Sequence, residues 1–220
     1  MISIRLTSKS RALAIATAIK TLANGGVIAF ATETVYGIGC DPRNARAVNR
    51  MFAIKGRNEK KPCQLIAGSG AQVNRLASSN RFEKRAMAKY WPGPLTLLLR
   101  LKSVIRLAPR VSPKRVIGIR VTPDRFMRDL INAYGFPIAA TSANRSGEKP
   151  ATSGRGVRRA FEGQGKRVRG HGVQDAPDLL IDAGAIPRRR PTTVAQIAAD
   201  GHIEIIRQGG MRIGSLTASS

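Results

Sequence analysis

The sequence predicts an α/β fold in which helices cover an open, twisted sheet within a single domain. Short apolar runs alternate along the chain with segments of helical periodicity, an order typical of strands and helices that share one layered core. With 220 residues, of which 42% are hydrophobic, the chain can bury a sizeable core. It contains neither an internal repeat nor a linker-like stretch. We therefore expect one domain over residues 8–210 and a flexible tail over 211–220.

The predicted elements begin with a helix. It covers residues 10–23, because apolar side chains recur there every three to four positions and Asn24-Gly25-Gly26 supplies a stop. Buried strands are predicted in the apolar runs 27–31, 64–67, 96–101, 116–121, 137–141 and 179–182. Further helices are predicted at 45–54, 80–90 and 124–134. The basic stretches 149–170 and 188–190 lie in sequence rich in Gly and Pro, and are predicted to be surface loops.

Net charge is the most unusual feature of the composition. The chain has 38 Lys and Arg residues against 13 Asp and Glu, a formal net charge of +25 at pH 7. Such a surplus attracts polyanions, so nucleic acid is the expected partner class and a contact with tRNA is predicted. The alternative is that the basic runs are only a solvated face. With 5% aromatic residues, a base-stacking platform is not favoured.

Other classes of protein are not supported by the composition. No apolar run is long enough to span a bilayer, and the N-terminal residues lack the apolar region of a signal peptide, so a cytoplasmic protein is expected. Cys40 and Cys63 are not in a C-x-x-C arrangement, and His171 and His202 lie far apart in sequence. We therefore expect free thiols and no metal held by protein side chains.

Polar and charged side chains cluster where three predicted elements end. The run 27–31 leads into "TETVYGIGCD", and the helix 45–54 leads into "KGRNEKKP", where Lys55 and Arg57 would project to one side of an extended backbone. Two cations on one side suit a polyphosphate. The run 137–141 leads into "TSANRSGEKPA", where Ser142 and Asn144 repeat the same spacing with hydroxyl and amide groups. A solvated turn or helix end remains the alternative for each segment.

No G-x-x-x-x-G-K-[ST] or G-x-G-x-x-G signature is present, so a nucleotide site would have to be assembled from distant segments. Six segments, "TETVYG", "KGR", "WPGPLT", "GIRV", "PIAATSANRSG" and "IIRQG", occur together and in this order. With them the chain resembles the YrdC/Sua5 family, in its short TsaC-type branch, over about residues 10–210. Ala31 and Gln196 depart from the proline and aspartate common in the family at these positions.

The resemblance implies a twisted, mostly parallel and partly mixed sheet, as in dihydroxybutanone-phosphate synthase, with a concave basic cleft. It also assigns candidate residues to that cleft. ATP would be held by Lys55, Arg57, Thr141, Ser142, Asn144 and Arg207, of which Lys55 and Arg57 would act in catalysis by neutralising phosphate charge. L-Threonine would be held by Thr32, Tyr36, Arg120 and Thr192, with the guanidinium of Arg120 on the carboxylate.

The reaction implied by the family joins L-threonine, bicarbonate and ATP into threonylcarbamoyl-adenylate and pyrophosphate, for threonylcarbamoyladenosine formation in tRNA. Mg²⁺ would enter bound to the ATP phosphates, and downstream threonylcarbamoyl-transfer proteins would be partners. Two alternatives belong to other classes. One is a non-catalytic protein that binds double-stranded RNA or tRNA on the same fold. The other is a carbamoyl-transfer domain of the hydrogenase-maturation type, whose acylphosphatase and zinc-finger segments are missing from this sequence.

Overall fold

The computed structural model describes residues 1–56, 63–162, 176–214 and 216. The strands are β1 (Ile2–Arg5), β2 (Ile28–Ala31), β3 (Tyr36–Cys40), β4 (Gln64–Ala67), β5 (Ala77–Ser78), β6 (Leu95–Leu101), β7 (Val116–Val121), β8 (Ile138–Ser142), β9 (Leu179–Asp182), β10 (Thr193–Ile197) and β11 (Ile203–Arg207). The helices are α1 (Arg11–Ala23), α2 (Ala45–Lys55), α3 (Gly70–Leu76), α4 (Arg81–Tyr90), α5 (Arg125–Tyr134) and α6 (Gly154–Glu162), with a 3-10 turn at Pro113–Arg115.

The strands form one mixed sheet in the order β1-β9-β2-β3-β8-β4-β7-β6-β10-β11, with β5 paired to β6. The α/β class and the open mixed sheet are thus confirmed. The expectation of a mostly parallel sheet needs correction, because among the described strands four pairs are parallel and six are antiparallel. Short connections cause the difference: β2 and β3, like β10 and β11, follow each other closely in the chain and therefore run antiparallel.

Every strand and helix predicted from the sequence is present within about two residues of its predicted ends. The prediction of a surface loop over the basic stretch 149–170 needs correction, because this stretch contains helix α6. Val157 and Phe161 of α6 are buried, and their burial outweighs the weak helical propensity of "GRGVRR". Residues 163–170 lie outside the described part of the chain.

The sheet buries apolar side chains on both faces. One face, here called the α1/α5 face, is partly covered by helices α1 and α5. Its core includes Leu22, Phe30, Ile66, Leu130 and Ile138. The opposite face is covered by α2, α4 and α6, whose buried side chains include Met51, Phe52, Phe82, Ala86, Val157 and Phe161. The part of the α1/α5 face that those two helices leave uncovered holds the cavity described below.

The packed unit reaches beyond the predicted limits of 8 and 210. Strand β1 pairs with β9 in the sheet, and Leu216 is buried with its carbonyl accepting a hydrogen bond from Arg85. Residues 217–220 of the predicted tail lie outside the described residues. Cys40 and Cys63 are both buried, and neither of these two described residues forms a disulfide. Within the described ranges, no helix is both long enough and apolar enough to cross a membrane.

Candidate active site

A cavity of about 270 Å³ opens on the α1/α5 face of the sheet. Gly37, Gln64, Ile66 and Ala140 contribute to its lining from three neighbouring strands, β3, β4 and β8. A Cβ atom at position 37 would lie 3.2 Å from the Thr141 carbonyl oxygen and 3.3 Å from the Phe30 ring. Small residues in these strands therefore leave the sheet face concave where a ligand can lie against it.

Lys55 connects the end of α2 to the turn that follows β8. Helix α2 ends at Gly56, whose φ of 59° is left-handed, so Lys55 occupies the last helical position. Its side chain is buried, and Nζ lies 2.7 Å from the Ser142 carbonyl oxygen and 3.2 Å from Ser142 Oγ. Nζ is also 3.0 Å from the Asn144 carbonyl oxygen and 2.8 Å from Asn144 Oδ1. The ammonium group thus holds together the turn that contains Ser142 and Asn144.

Asn144 has a second role in the same turn. Its Nδ2 donates to the carbonyl oxygens of Arg145 and Glu148, each at 2.8 Å. Thr141 and Ser142 line the cavity, whereas Lys55 and Asn144 lie behind them. The structure therefore brings together four residues predicted for ATP, two at the cavity surface and two as the frame of the turn. Arg57, predicted as the partner of Lys55, lies outside the described residues.

Arg120 lines the cavity from β7, and its side chain is 4% exposed. Its Nη1 lies 2.6 Å from Oε1 of Glu33, although neither atom makes an aligned hydrogen bond. Glu33 Oε2 accepts a hydrogen bond of 3.1 Å from the Thr122 hydroxyl. Burial lowers the pKa of Arg120, and the charge of Glu33 acts in the opposite direction. Glu33 was missed by the sequence prediction, although it lies beside Thr32 in the "TETVYG" segment.

The other residues predicted for threonine have their hydroxyl groups engaged within the protein. Thr32 Oγ1 donates to the Val35 carbonyl oxygen at 2.7 Å and accepts from the Thr34 and Val35 amides, which closes the turn between β2 and β3. Tyr36 also lines the cavity, but its hydroxyl donates to the Gly184 carbonyl oxygen at 2.7 Å. Burial, with the nearby charge of Asp182, raises the pKa of Tyr36 to about 12.

A β-bulge directs Arg207 towards the cavity. In the β10–β11 pair, Ala195 is opposite Ile205 but Val194 is opposite Arg207, so Ile206 is the extra residue. In a regular strand of the same sequence, Arg207 would share the face of Ile205, two residues earlier, and would point away from the cavity. Arg207 instead lines the cavity, and its Nη2 donates to the Thr192 carbonyl oxygen at 2.9 Å and to Thr192 Oγ1 at 3.1 Å.

Comparisons with known proteins indicate the family of this chain. The model of the Sua5/YciO/YrdC family, described as "Telomere recombination", matches residues 20–209. A protein of Thiobacillus denitrificans named threonylcarbamoyl-AMP synthase is 36% identical over 179 residues, which cover 80% of this chain and 87% of that protein. A protein of the same name from Halorhodospira halophila is 40% identical over 176 residues, which cover 79% of this chain and 84% of that protein.

Solved structures include the crystal structure of P. abyssi Sua5 complexed with L-threonine. It superposes with a TM-score of 0.79 at 29% sequence identity and covers 95% of this chain. The present chain spans 57% of the length of that Sua5 chain. The match of the family model over most of the sequence and the identity to the curated relatives lead to one conclusion. This chain belongs to the Sua5/YciO/YrdC family.

Proposed function

We propose that the protein is a threonylcarbamoyl-AMP synthase, a nucleotidyltransferase that uses L-threonine, bicarbonate and ATP and releases pyrophosphate. The relatives that carry this name support the proposal, as does the threonine complex of P. abyssi Sua5. The same names favour an enzyme over a protein that only binds RNA. A cytoplasmic location is part of the proposal.

One observation carries the proposal: a single cavity has Arg120 at one end and the Ser142 turn, backed by Lys55, at the other. Arg120 is level with Ile138 across β4, and Ser142 lies four residues beyond Ile138. Four residues of strand correspond to roughly 13 Å. An amino acid with its carboxylate on Arg120 and a nucleotide with its phosphates near Ser142 can therefore occupy adjoining positions on one sheet face.

The chemistry requires placement and charge neutralisation more than a side-chain nucleophile. Bicarbonate loses hydroxide to give CO2, the threonine amine adds to the CO2 and loses a proton, and the products are a carbamate and water. A carbamate oxygen then attacks the α-phosphorus of ATP. The bond from that phosphorus to the bridging oxygen breaks, and pyrophosphate leaves. Arg120 orients the amino acid, and the turn that Lys55 supports holds the phosphates. Bringing the reactants together in this way removes much of the entropic barrier.

Mg²⁺ is expected to enter with ATP. The described lining of the cavity offers hydroxyl, amide and guanidinium groups, and no cluster of three or more His, Cys, Asp or Glu side chains that could hold a metal is found among the described residues. The donor set thus fits a metal bound through phosphate oxygens, where it would neutralise phosphate charge.

The direct test is pyrophosphate release. Purified protein should release pyrophosphate from ATP when both threonine and bicarbonate are present, and little when either is omitted. Labelled threonine should appear in the adenylate. A protein that binds tRNA tightly but shows no release dependent on both substrates would support the RNA-binding alternative instead.

A contact with tRNA, and with the transfer proteins that consume the adenylate, extends the proposal. Arg155 and Arg159 of α6 are exposed, and Arg158 is partly exposed beside Glu162. The test concerns the arginines of the basic stretch 149–170. If they bind phosphates, replacing Arg158, Arg159, Arg167 and Arg169 with glutamine should flatten the dependence of tRNA affinity on salt. Pyrophosphate release should persist in this variant. An unchanged salt slope would mean that the arginines are only a solvated face.

A further inference from the structure

Gln64 lines the cavity, although no sequence motif identifies it. Its side chain crosses over Gly118 of the neighbouring strand β7. A Cβ atom on Gly118 would lie 3.7 Å from Gln64 Cγ and 3.4 Å from Thr96 Cγ2. Gln64 thus reaches across β7 to the Thr96 hydroxyl on β6.

The hydrogen bonds around Gln64 fix the orientation of its amide group. The Arg207 guanidinium can only donate, and it donates to Thr192 Oγ1 at 3.1 Å. Thr192 Oγ1 also accepts from the Thr96 hydroxyl at 3.2 Å, so the proton of Thr192 is directed elsewhere. The single proton of the Thr96 hydroxyl can instead go to Gln64 Oε1 at 3.3 Å; when it goes to Thr192, the Thr192 hydroxyl is left to donate to Oε1 at 3.5 Å. In both arrangements the amide oxygen of Gln64 is the acceptor.

The amide nitrogen of Gln64 is left for the cavity. With Oε1 turned towards the two hydroxyls, Nε2 donates to no residue in the described part of the chain. It presents two N–H groups and no acceptor. Such a group cannot pair with an ammonium, but it suits an oxygen atom of a ligand.

The position of Gln64 relative to Arg120 indicates which oxygen atom of a ligand would accept the hydrogen bond from Nε2. Arg120 follows Gly118 by two residues in β7 and projects from the same face, about 7 Å further along the strand. A guanidinium group can hold both oxygens of a carboxylate. For an amino acid bound in that way, the oxygen that remains on threonine is its side-chain hydroxyl.

We propose that Gln64 is a specificity-determining residue whose side-chain NH2 donates a hydrogen bond to the hydroxyl oxygen of the bound amino acid. This assignment rests on the proposed function, because it takes threonine as the ligand at Arg120. It predicts that the cavity distinguishes threonine from valine, which has nearly the same shape but lacks the hydroxyl. A site built to pair with a hydroxyl rejects the analogue that leaves its polar group unpaired.

Calorimetric titration of threonine and valine into wild-type protein and the Gln64→Met variant tests the assignment. Wild-type protein should bind threonine at least roughly tenfold more tightly than valine. Gln64→Met should lose about that factor for threonine and leave valine affinity unchanged, so the preference disappears. An equal loss for both amino acids, or an unchanged preference, would overturn the assignment.

Two further variants serve as controls. Gln196 is an exposed glutamine of β10, and Gln196→Met should keep the wild-type preference. Thr96→Val removes a hydroxyl that orients the amide and should narrow the preference; a full wild-type preference would contradict the orienting role of that hydroxyl. Thermal unfolding of each variant verifies that it is folded.

The outcomes also separate this assignment from the proposed function. Wild-type protein that releases pyrophosphate with threonine, while Gln64→Met keeps the preference, overturns the role of Gln64 alone. Wild-type protein that binds neither amino acid and releases no pyrophosphate overturns the proposed function and this assignment together.

Discussion

At the scale of single residues, Lys55 links the end of α2 to the turn after β8. Its Nζ lies within 3.2 Å of four oxygen atoms of Ser142 and Asn144. These acceptors belong to a turn that otherwise depends on the Asn144 amide. The lysine is therefore structural as well as electrostatic, and its loss affects both stability and binding.

We expect Lys55→Met to lower the free energy of unfolding by about 1–3 kcal/mol, because buried oxygens lose their donor. ATP affinity should fall in the same variant, since the turn is no longer held. Thermal unfolding and calorimetry measure the two effects. Lys20→Met, at an exposed position in the last turn of α1, is the control. Equal melting temperatures for the two variants would contradict the structural role of Lys55.

Arg120→Lys is expected to reduce threonine affinity at least roughly tenfold while ATP affinity persists, because an ammonium cannot make the paired contacts of a guanidinium with a carboxylate. Separate titrations of threonine and ATP measure this. Arg100→Lys, an exposed change on β6, should alter neither affinity. If threonine affinity survives in Arg120→Lys, the carboxylate must bind elsewhere in the cavity.

The residues of the site were predictable from the sequence only in part. Ser142, Thr141 and Arg120 occur in recognisable segments and do line the cavity. The contacts of Lys55 were not predictable, because they depend on how the end of α2 meets the turn after β8. Gln64 was not predictable either, since its orientation is decided by hydroxyls on two other strands.

At the scale of elements, β11 shows how a β-bulge determines which side chain of an edge strand faces the cavity. The bulge at Ile206 places Arg207 on the cavity side of an edge strand. Deletion of Ile206 removes the extra residue, so Arg207 follows Ile205 directly, stays opposite Val194 and remains on the cavity face. We expect this deletion, like Ile206→Ala, to leave the KM of each substrate close to that of wild-type protein, whereas Arg207→Ala, which removes the guanidinium, should raise the KM for at least one substrate. Kinetic titration of each substrate in the three variants makes the comparison, and unchanged kinetics in Arg207→Ala would mean that Arg207 does not bind a substrate.

Elements with strong periodicity were predictable, and those without it were not. Helices α1 and α5 and the apolar strands follow from spacing alone. Strand β3 was missed because "YGIGC" contains two glycines, which carry little strand propensity, and it is a strand because both neighbours pair with it. Strands β1 and β11 lie at the sheet edges with exposed residues, so their sequences show no buried pattern.

At the scale of the whole molecule, the carboxylates of Asp41 and Asp178 connect distant parts of the chain through hydrogen bonds. Burial disfavours their ionisation, yet hydrogen bonds from Arg43 and Tyr134 to Asp41, and from Arg50 and the Val27 amide to Asp178, leave the pKa of each below its usual range. A carboxyl group with a lowered pKa in the folded state stabilises the fold above its unfolded pKa of about 3.9. That stability is lost as the pH falls through the folded pKa.

Asp178→Asn should therefore be less stable than wild-type protein at pH 7 and lose less stability between about pH 5 and pH 2. Urea unfolding midpoints across this range measure the difference. Asp200→Asn, at an exposed turn, should follow the wild-type curve. Parallel curves for Asp178→Asn and wild-type protein would show that Asp178 does not contribute to acid sensitivity.

The order of the strands also has a consequence for synthesis on the ribosome. Strand β2 pairs with β3 almost at once, but its other neighbour, β9, is translated about 150 residues later. At ~5–20 residues per second, that edge of β2 remains open for roughly 7–30 s. An open apolar strand edge invites association with other nascent chains. We expect the soluble yield in cells to rise when chaperones that shield nascent chains are overproduced, with no change in the melting temperature of the purified protein. If the soluble yield instead follows only the melting temperature, association of nascent chains at the open edge of β2 does not limit folding in cells.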